Sequence, residues 1–285
     1  MRFIKMQGAG NDFVLIEAAN GPSDWSQLAT AMCDRHYGVG ADGLLVLLPS
    51  DKAEFKMRIF NADGSESYAC GNGLRCMVKY YIDEMTDGSK LDNIKVETQA
   101  GIRQARIHHT NGKVAQIQTG MGHPGVGRDN IPVKPESRAG GIIDITSALR
   151  YSITIAGADL DLHLVSMGNP HAVSFLKEPV AGFPLTSFGP KIERHEEFLK
   201  GVNFEIVNII NRGLLEARVW ERGVGETLAC GSGACAISVA AQLLGYVDNQ
   251  VDVKLPGGTL GVEWNGSGEV FLSGPAETVF TGDWS

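Results

Sequence analysis

The chain has 285 residues, 43% apolar and 20% charged, with a formal net charge of −8. That length and composition give one or two domains with a sizeable core, and exclude a disordered chain, which needs low hydropathy and high net charge. The acidic balance argues against nucleic acid or an anionic membrane surface as partner, and no apolar run nears the roughly 18 residues of a membrane span.

In chain order, short β-type runs dominate. They are expected at 3–6, 13–17, 43–48, 55–60, 94–98, 103–109 and 113–119, then at 151–155, 160–166, 172–176, 204–210, 214–220, 251–254, 259–264 and 269–273. Gly, Asn and Asp punctuate them, and the 36 glycines suit many tight turns. Three helices are expected. One has Ser23 as its N-cap and runs to about Arg35. A second runs from near Gly71 to about Glu84, with Leu74, Met77, Val78, Tyr81, Ile82 and Met85 at helical spacing. A third runs from about Gly231 to Leu244 and ends at Gly245; its stretch from Ala234 to Ala241 is small or apolar on all sides, as in a helix buried all round. The start, MRFIKMQGAGNDF, carries no signal-peptide apolar region, so a cytoplasmic location is expected.

The most informative feature is an internal repeat. Arg58 to Gly73 matches Arg218 to Gly233 at an offset of 160, with identities at Arg58/Arg218, Glu66/Glu226, Ala69/Ala229, Cys70/Cys230, Gly71/Gly231 and Gly73/Gly233. An aromatic stands at both Phe60 and Trp220, and a weaker echo pairs Gly10-Asn11 with Gly168-Asn169. The expected fold is therefore α+β: two similar β-rich domains from internal duplication, each a mixed, barrel-like sheet around a central helix. The domains are placed at 1–120 plus 276–285 and at 121–275, with the junction in the Gly/Pro-rich stretch 120–141.

Each copy reads strand, turn, Ala-Cys-Gly-x-Gly, helix, which puts the cysteine at a helix N-terminus. Unpaired N–H groups and the positive dipole end favour an anion there and make a thiolate accessible. The N–H groups of Gly71, Asn72, Gly231 and Ser232 could hold a carboxylate. Two such thiols on opposite sides of a carbon form a two-base system: one removes a proton from one face, the other delivers one to the opposite face, and the stereocentre inverts. The bland alternative is a buried small hydrophobe. It is preferred for Cys33, Cys76 and Cys235, whereas the repeat reverses it for Cys70 and Cys230. A zinc-binding module is a rival reading, but zinc sites prefer two to four residues between cysteines, and these pairs have five and four within helices. A redox C-x-x-C is absent.

Other motifs weigh less. Gly38 to Gly43 matches G-x-G-x-x-G but precedes a strand, so it reads as a turn rather than a dinucleotide site. Asn11, Asn61, Asn169 and Asn203 lie beside strands or turns and would suit a zwitterion pocket as well as turn geometry. Glu221-Arg222 is either a solvated pair or a carboxylate for a substrate ammonium with a guanidinium for a carboxylate. His171 alone reads as structural or as a tuner of a nearby thiol.

KMQGAGNDF, FNADGSESYACGNGLRC, MGNPHAV and WERGVGETLACGSGACA resemble the diaminopimelate epimerase family, over nearly the whole chain. The resemblance implies a pyridoxal-phosphate-independent racemase, without cofactor or metal, that interconverts LL- and meso-diaminopimelate in lysine and peptidoglycan-precursor synthesis. It implies Cys70 and Cys230 as the acid/base pair, and the N–H groups of Gly71, Asn72, Gly231 and Ser232 around the reacting carboxylate. Asn11, Asn61, Asn169, Asn203, Glu221 and Arg222 would take the amino groups and distal carboxylate, while His171 and Glu221 would tune the thiols. Three positions depart from the common pattern: Gln7 where His is frequent, Gly43 where Gln is frequent, and Phe280 where a Tyr often makes a dimer contact. A homodimer is compatible with the resemblance. A related racemase acting on proline or hydroxyproline is the nearest rival; Arg222 and the Asn set argue for a distal charged group that proline lacks.

Overall fold

A computed structural model describes the chain except for residues 19–23, 69, 87–90, 111–112, 127–129, 132, 134–143, 146–147 and 156. The chain forms two compact units, Met1–Gly120 with Ser273–Ser285, and Met121–Leu272. Among the described residues no helix is long and apolar enough to cross a membrane.

The first unit runs β1 (Arg2–Gly8), β2 (Asn11–Glu17), α1 (Trp25–Cys33), β3 (Gly43–Leu48), β4 (Phe55–Asn61), β5 (Glu66–Ser67), α2 (Gly71–Met85), β6 (Asn93–Thr98), β7 (Gly101–Thr110) and β8 (Lys113–Gly120). The second runs β9 (Gly125–Val126), β10 (Asp144–Ile145), β11 (Ala148–Ile155), β12 (Ala158–Ser166), β13 (Pro170–Leu176), α3 (Leu185–Glu193), β14 (Asn203–Asn211), β15 (Leu214–Glu221), β16 (Gly225–Thr227), α4 (Gly231–Leu243), β17 (Gln250–Leu255) and β18 (Gly258–Glu263); the residues of β19 (Phe271–Gly274) are divided between the two units. The last strand, β20 (Glu277–Asp283), pairs antiparallel with β1.

The pairing pattern is the same in both units. β1–β2 is antiparallel, β2–β3 parallel, β3–β4 antiparallel, β4–β6 parallel and β6–β7 antiparallel. In the second unit β12–β13, β13–β14, β14–β15, β15–β17 and β17–β18 repeat that series. The starts of α1 and α3, β3 and β14, and α2 and α4 are each 160 residues apart. The duplicated α+β fold read from the sequence is thus present as mixed sheets around a helix. α4 is buried without a break from Gly233 to Ala241, and α2 from Gly71 to Val78. Small residues explain α4: Ala and Gly let strands approach from every side, and burial of its apolar surface stabilises it at about 25 cal/mol per Å².

Each strand expected from the pattern is found, although β19 starts two residues later than the run 269–273 suggests. The expected cap Ser23 lies outside the described residues. Asp24 caps α1 instead, its side chain accepting from the Gln27 N–H at 3.0 Å. The junction expected at 120–141 lies largely outside the described residues. The segment Gly38–Gly43 is a turn, as expected. The N–H groups of Val39 and Gly40 close the end of α1 on Met32 O.

α3 was not expected, because Gly189-Pro190 reads as a helix breaker. The glycine is there for packing: a Cβ at position 189 would lie 2.3 Å from the Trp220 ring. In the first unit the counterparts are Ala29 and Phe60, both buried in one cluster with Met32 and Leu44. A smaller helix residue accompanies the larger aromatic.

The repeated Arg and Glu also acquire a reason. Arg58 grips Glu66 with two hydrogen bonds of 2.7 and 2.8 Å, tying β4 to β5. Arg218 grips Glu226 at 2.7 and 3.0 Å, tying β15 to β16. Each clamp holds the short strand that leads into a cysteine motif.

Candidate active site

Both repeated cysteines are helix N-caps. Cys70 and Cys230 have extended backbone, and each Sγ accepts the N–H of the residue three ahead, Gly73 or Gly233, at 3.4 Å. A sulfur takes the place that a Ser or Asp oxygen occupies in an ordinary cap. The second glycine of each motif faces protein rather than open space. A Cβ at Gly73 would lie 2.9 Å from Leu45 Cδ2, and one at Gly233 would lie 3.2 Å from Glu205 Oε1 and 3.3 Å from Cys230 Sγ.

In the first unit Cys70 has Asn11 and Asn72 beside it. Asn11 Oδ1 lies 3.8 Å from Cys70 Sγ and accepts from Asn72 Nδ2 at 3.3 Å. Asn11 Nδ2 donates to Asp42 at 2.6 Å, which sets the amide orientation. Behind it, Lys5 and Arg35 both bond Asp12. Burial pushes the Asp12 carboxyl upward, but the hydrogen bonds from Arg35 and Lys5 outweigh it and hold it at about 2. Asn72 Oδ1 takes a 2.6 Å bond from Arg75, a fully buried guanidinium. Asn61 is not drawn into this group: its amide donates to Ser65 in the following turn. Gly71 is the first helical residue after Cys70.

The second unit assembles more of the expected residues. Asn169 Nδ2 donates to Ser232 Oγ at 3.3 Å, and Ser232 Oγ lies 3.5 Å from Cys230 Sγ. Asn169 Oδ1 sits 3.0 Å from His171 Nε2. Asn203 joins three strand ends, donating to Pro170 O at 2.8 Å and accepting the Arg222 N–H at 2.9 Å. The Arg222 guanidinium reaches Lys200 O, and Glu221 accepts from Thr227 Oγ1 at 2.6 Å. Gly231 opens α4 directly after Cys230. Burial pushes the Cys230 thiol well above its ordinary value, and the Glu221 carboxylate adds to that, while the Ser232 hydroxyl and Gly233 N–H oppose it.

One group here was missed by the sequence reading. Glu205 of β14 is wholly buried with its Oε1 2.6 Å from His171 Nδ1. Its signal was a lone acidic residue between Phe204 and the apolar pair Ile206-Val207. The remaining cysteines are as expected: Cys33, Cys76 and Cys235 are buried, and burial pushes the first two thiols to about 11 and about 12. Among the described residues, no group of three or more His, Cys, Asp or Glu side chains is placed to hold a metal ion.

The fold recurs in solved structures of low sequence identity. A hydroxyproline epimerase from Agrobacterium vitis shares the fold with a TM-score of 0.68 at 14% identity, covering 99% of this chain and 91% of that one. A PhzF-family phenazine biosynthesis protein from Bacillus anthracis does so with a TM-score of 0.69 at 16% identity, covering 99% and 97%. The diaminopimelate epimerase family model matches residues 3–126 and 163–279. The diaminopimelate epimerase of Methanococcus maripaludis strain C5 is 44% identical over 286 residues, covering 99% of both chains. That of Acetivibrio thermocellus is 44% identical over 288 residues, covering 99% of this chain and 98% of its own. The chain belongs to the diaminopimelate epimerase family.

Proposed function

We propose that this chain interconverts LL-2,6-diaminopimelate and meso-diaminopimelate by proton transfer between substrate and two thiols, Cys70 and Cys230, without an organic cofactor. The observation that carries the reading is the pair of matched caps: in each half a cysteine sulfur sits at a helix start with a glycine N–H 3.4 Å away. One thiolate takes the α-proton. The electron pair left on carbon delocalises into the carboxylate, whose developing charge the N–H groups of Gly71, Asn72, Gly231 and Ser232 receive. The other thiol then gives its proton to the opposite face of the carbon. The first cysteine ends as thiol and the second as thiolate, so the reverse reaction exchanges their roles.

Asn11, Asn61, Asn169, Asn203, Glu221 and Arg222 are assigned to the amino groups and the distal carboxylate. The Arg222 guanidinium spends one N–H on Lys200 O, which leaves donors for a carboxylate. His171 and Glu221 are assigned to tuning the thiols. The family name supports a place in lysine and peptidoglycan-precursor synthesis; a cytoplasmic location and a homodimer, with Phe280 in the place of the frequent Tyr, belong to the same proposal.

Incubation of the reduced protein with LL-diaminopimelate, L-proline and trans-4-hydroxy-L-proline, followed by chiral chromatography, tests the substrate. Conversion of diaminopimelate alone is expected. Conversion of proline or hydroxyproline without diaminopimelate would replace this reading with that of a proline-type racemase.

A further inference from the structure

A carboxyl group inside an apolar strand is costly unless it is paired. Glu205 stands between Phe204 and Ile206 on β14, and both it and His171 are fully buried. Its Oε1 meets His171 Nδ1 at 2.6 Å, while Oε2 has no hydrogen-bond partner among the described residues. Such a pair is net neutral only when it holds two protons, and with one shared between Nδ1 and Oε1 the second lies on Nε2. The Nε2 proton then fixes every later link. His171 Nε2–H donates to Asn169 Oδ1 at 3.0 Å, and the Asn169 amide donates to Ser232 Oγ at 3.3 Å. The Ser232 hydroxyl proton is left to point at Cys230 Sγ, 3.5 Å away. All donors run toward the sulfur. With a bare Nε2 the Asn169 amide would turn over, Ser232 would donate to it, and Cys230 would lose its donor.

We propose that Glu205 is a positioning residue: by anchoring His171 Nδ1 it keeps Nε2–H on Asn169, and so sets the direction of the donor chain that ends on Cys230. The device belongs to one half only. By strand register the first-unit counterparts of His171 and Glu205 are Phe13 and Leu45, which carry no such chain. The catalytic meaning of the inference rests on Cys230 being an acid/base group, but the chain itself can be tested without substrate.

The test is iodoacetamide alkylation of the reduced, full-length protein across pH, with the Cys70 and Cys230 peptides quantified separately by mass spectrometry. The ionisable groups acting on Cys230 are Glu221 on β15 and Glu205 on β14, the latter bonded to His171 on β13. Glu205→Leu is expected to raise the Cys230 midpoint by about one pH unit, which slows its alkylation about tenfold below the midpoint. Cys70, the control within the same molecule, should stay within about twofold of that rate ratio's baseline. Glu205→Gln should restore the wild-type profile, because its amide N–H can donate to Nδ1. An unchanged or lowered Cys230 midpoint in Glu205→Leu overturns the proposal, as does an equal shift in Glu205→Gln or a parallel shift of Cys70. Nitrogen-15 histidine spectra of the unmodified protein provide a second check that needs no variant. A protonated Nε2 on His171 is expected, and a bare one contradicts the inference. Neither readout depends on epimerase activity, so failure of the substrate assignment and failure of the chain are separable.

Discussion

The two halves share their backbone plan and differ in what surrounds the sulfur. Both carry the cysteine cap, the glycine N–H at 3.4 Å and the Arg–Glu clamp on the preceding short strand. Beneath the cap, the first half places Phe13 and Leu45 where the second places His171 and Glu205. At the next strand position, Gly43 in the first half stands where Asn203 ties three strands together in the second. A Cβ at Gly43 would lie 2.8 Å from Phe60 O, so that position has no room for a side chain without a shift of the backbone. Duplication has thus kept the part of the site made by main chain and varied the part made by side chains. Main-chain N–H groups at a helix start serve any anion, whereas the protonation of each thiol depends on its own neighbours.

The two halves are most severely perturbed at the sulfurs. Cys70→Ser and Cys230→Ser should each lower kcat for epimerisation by about 10²–10⁴-fold, since each removes a general acid/base group; comparable loss in both is the outcome that fits two equivalent frames, measured by initial rates in each direction. A milder change makes the halves alike: His171→Phe with Glu205→Leu copies the first half into the second. Replacement of a buried hydrogen-bonded pair by apolar residues is often neutral for stability. The double variant should therefore keep its melting temperature while kcat falls by about tenfold or more, as expected for loss of proton-transfer support.

Two predictions concern the scaffold. Gly189→Ala should destabilise the protein by about 1–3 kcal/mol through collision with Trp220, although helix propensity alone would favour Ala by about 1 kcal/mol. Urea unfolding gives the sign. In the first half, Asp12 is held at about 2, below its ordinary 3.8. Its contribution is fully present above pH 3.8 and disappears as pH falls toward 2, an effect on the order of 2 kcal/mol. Acid unfolding of Asp12→Asn compared with wild type should show a shallower loss in that window.

Much of this was legible in the residues. The offset of 160 carried the duplication, and Ala-Cys-Gly-x-Gly before an amphipathic or all-apolar run placed a thiol at each helix start. α3 was hidden because Gly189-Pro190 contradicts helix propensity, and only the Trp220 ring explains the glycine. The same offset carried back from Gly71 and Gly231 to Trp25 would have placed a helix at Leu185. Glu205 was hidden for a different reason: a charge in a strand says nothing of its partner until the parallel pairing of β13 and β14 brings His171 within reach. Lys5, Arg35 and Asp42, which orient the Asn11 side of the first half, are separated along the chain and meet only through the turn after α1.

The proposed exchange of the α-proton involves two thiols, one in each half. Its most direct test is proton NMR of LL-diaminopimelate with reduced enzyme in D₂O, read at early conversion. Meso product should carry deuterium at the inverted carbon while unreacted LL substrate keeps its proton, because one group removes the proton and a solvent-equilibrated second group supplies its replacement. Product that retains the substrate proton, or deuterium appearing in unreacted substrate as fast as in product, would contradict it.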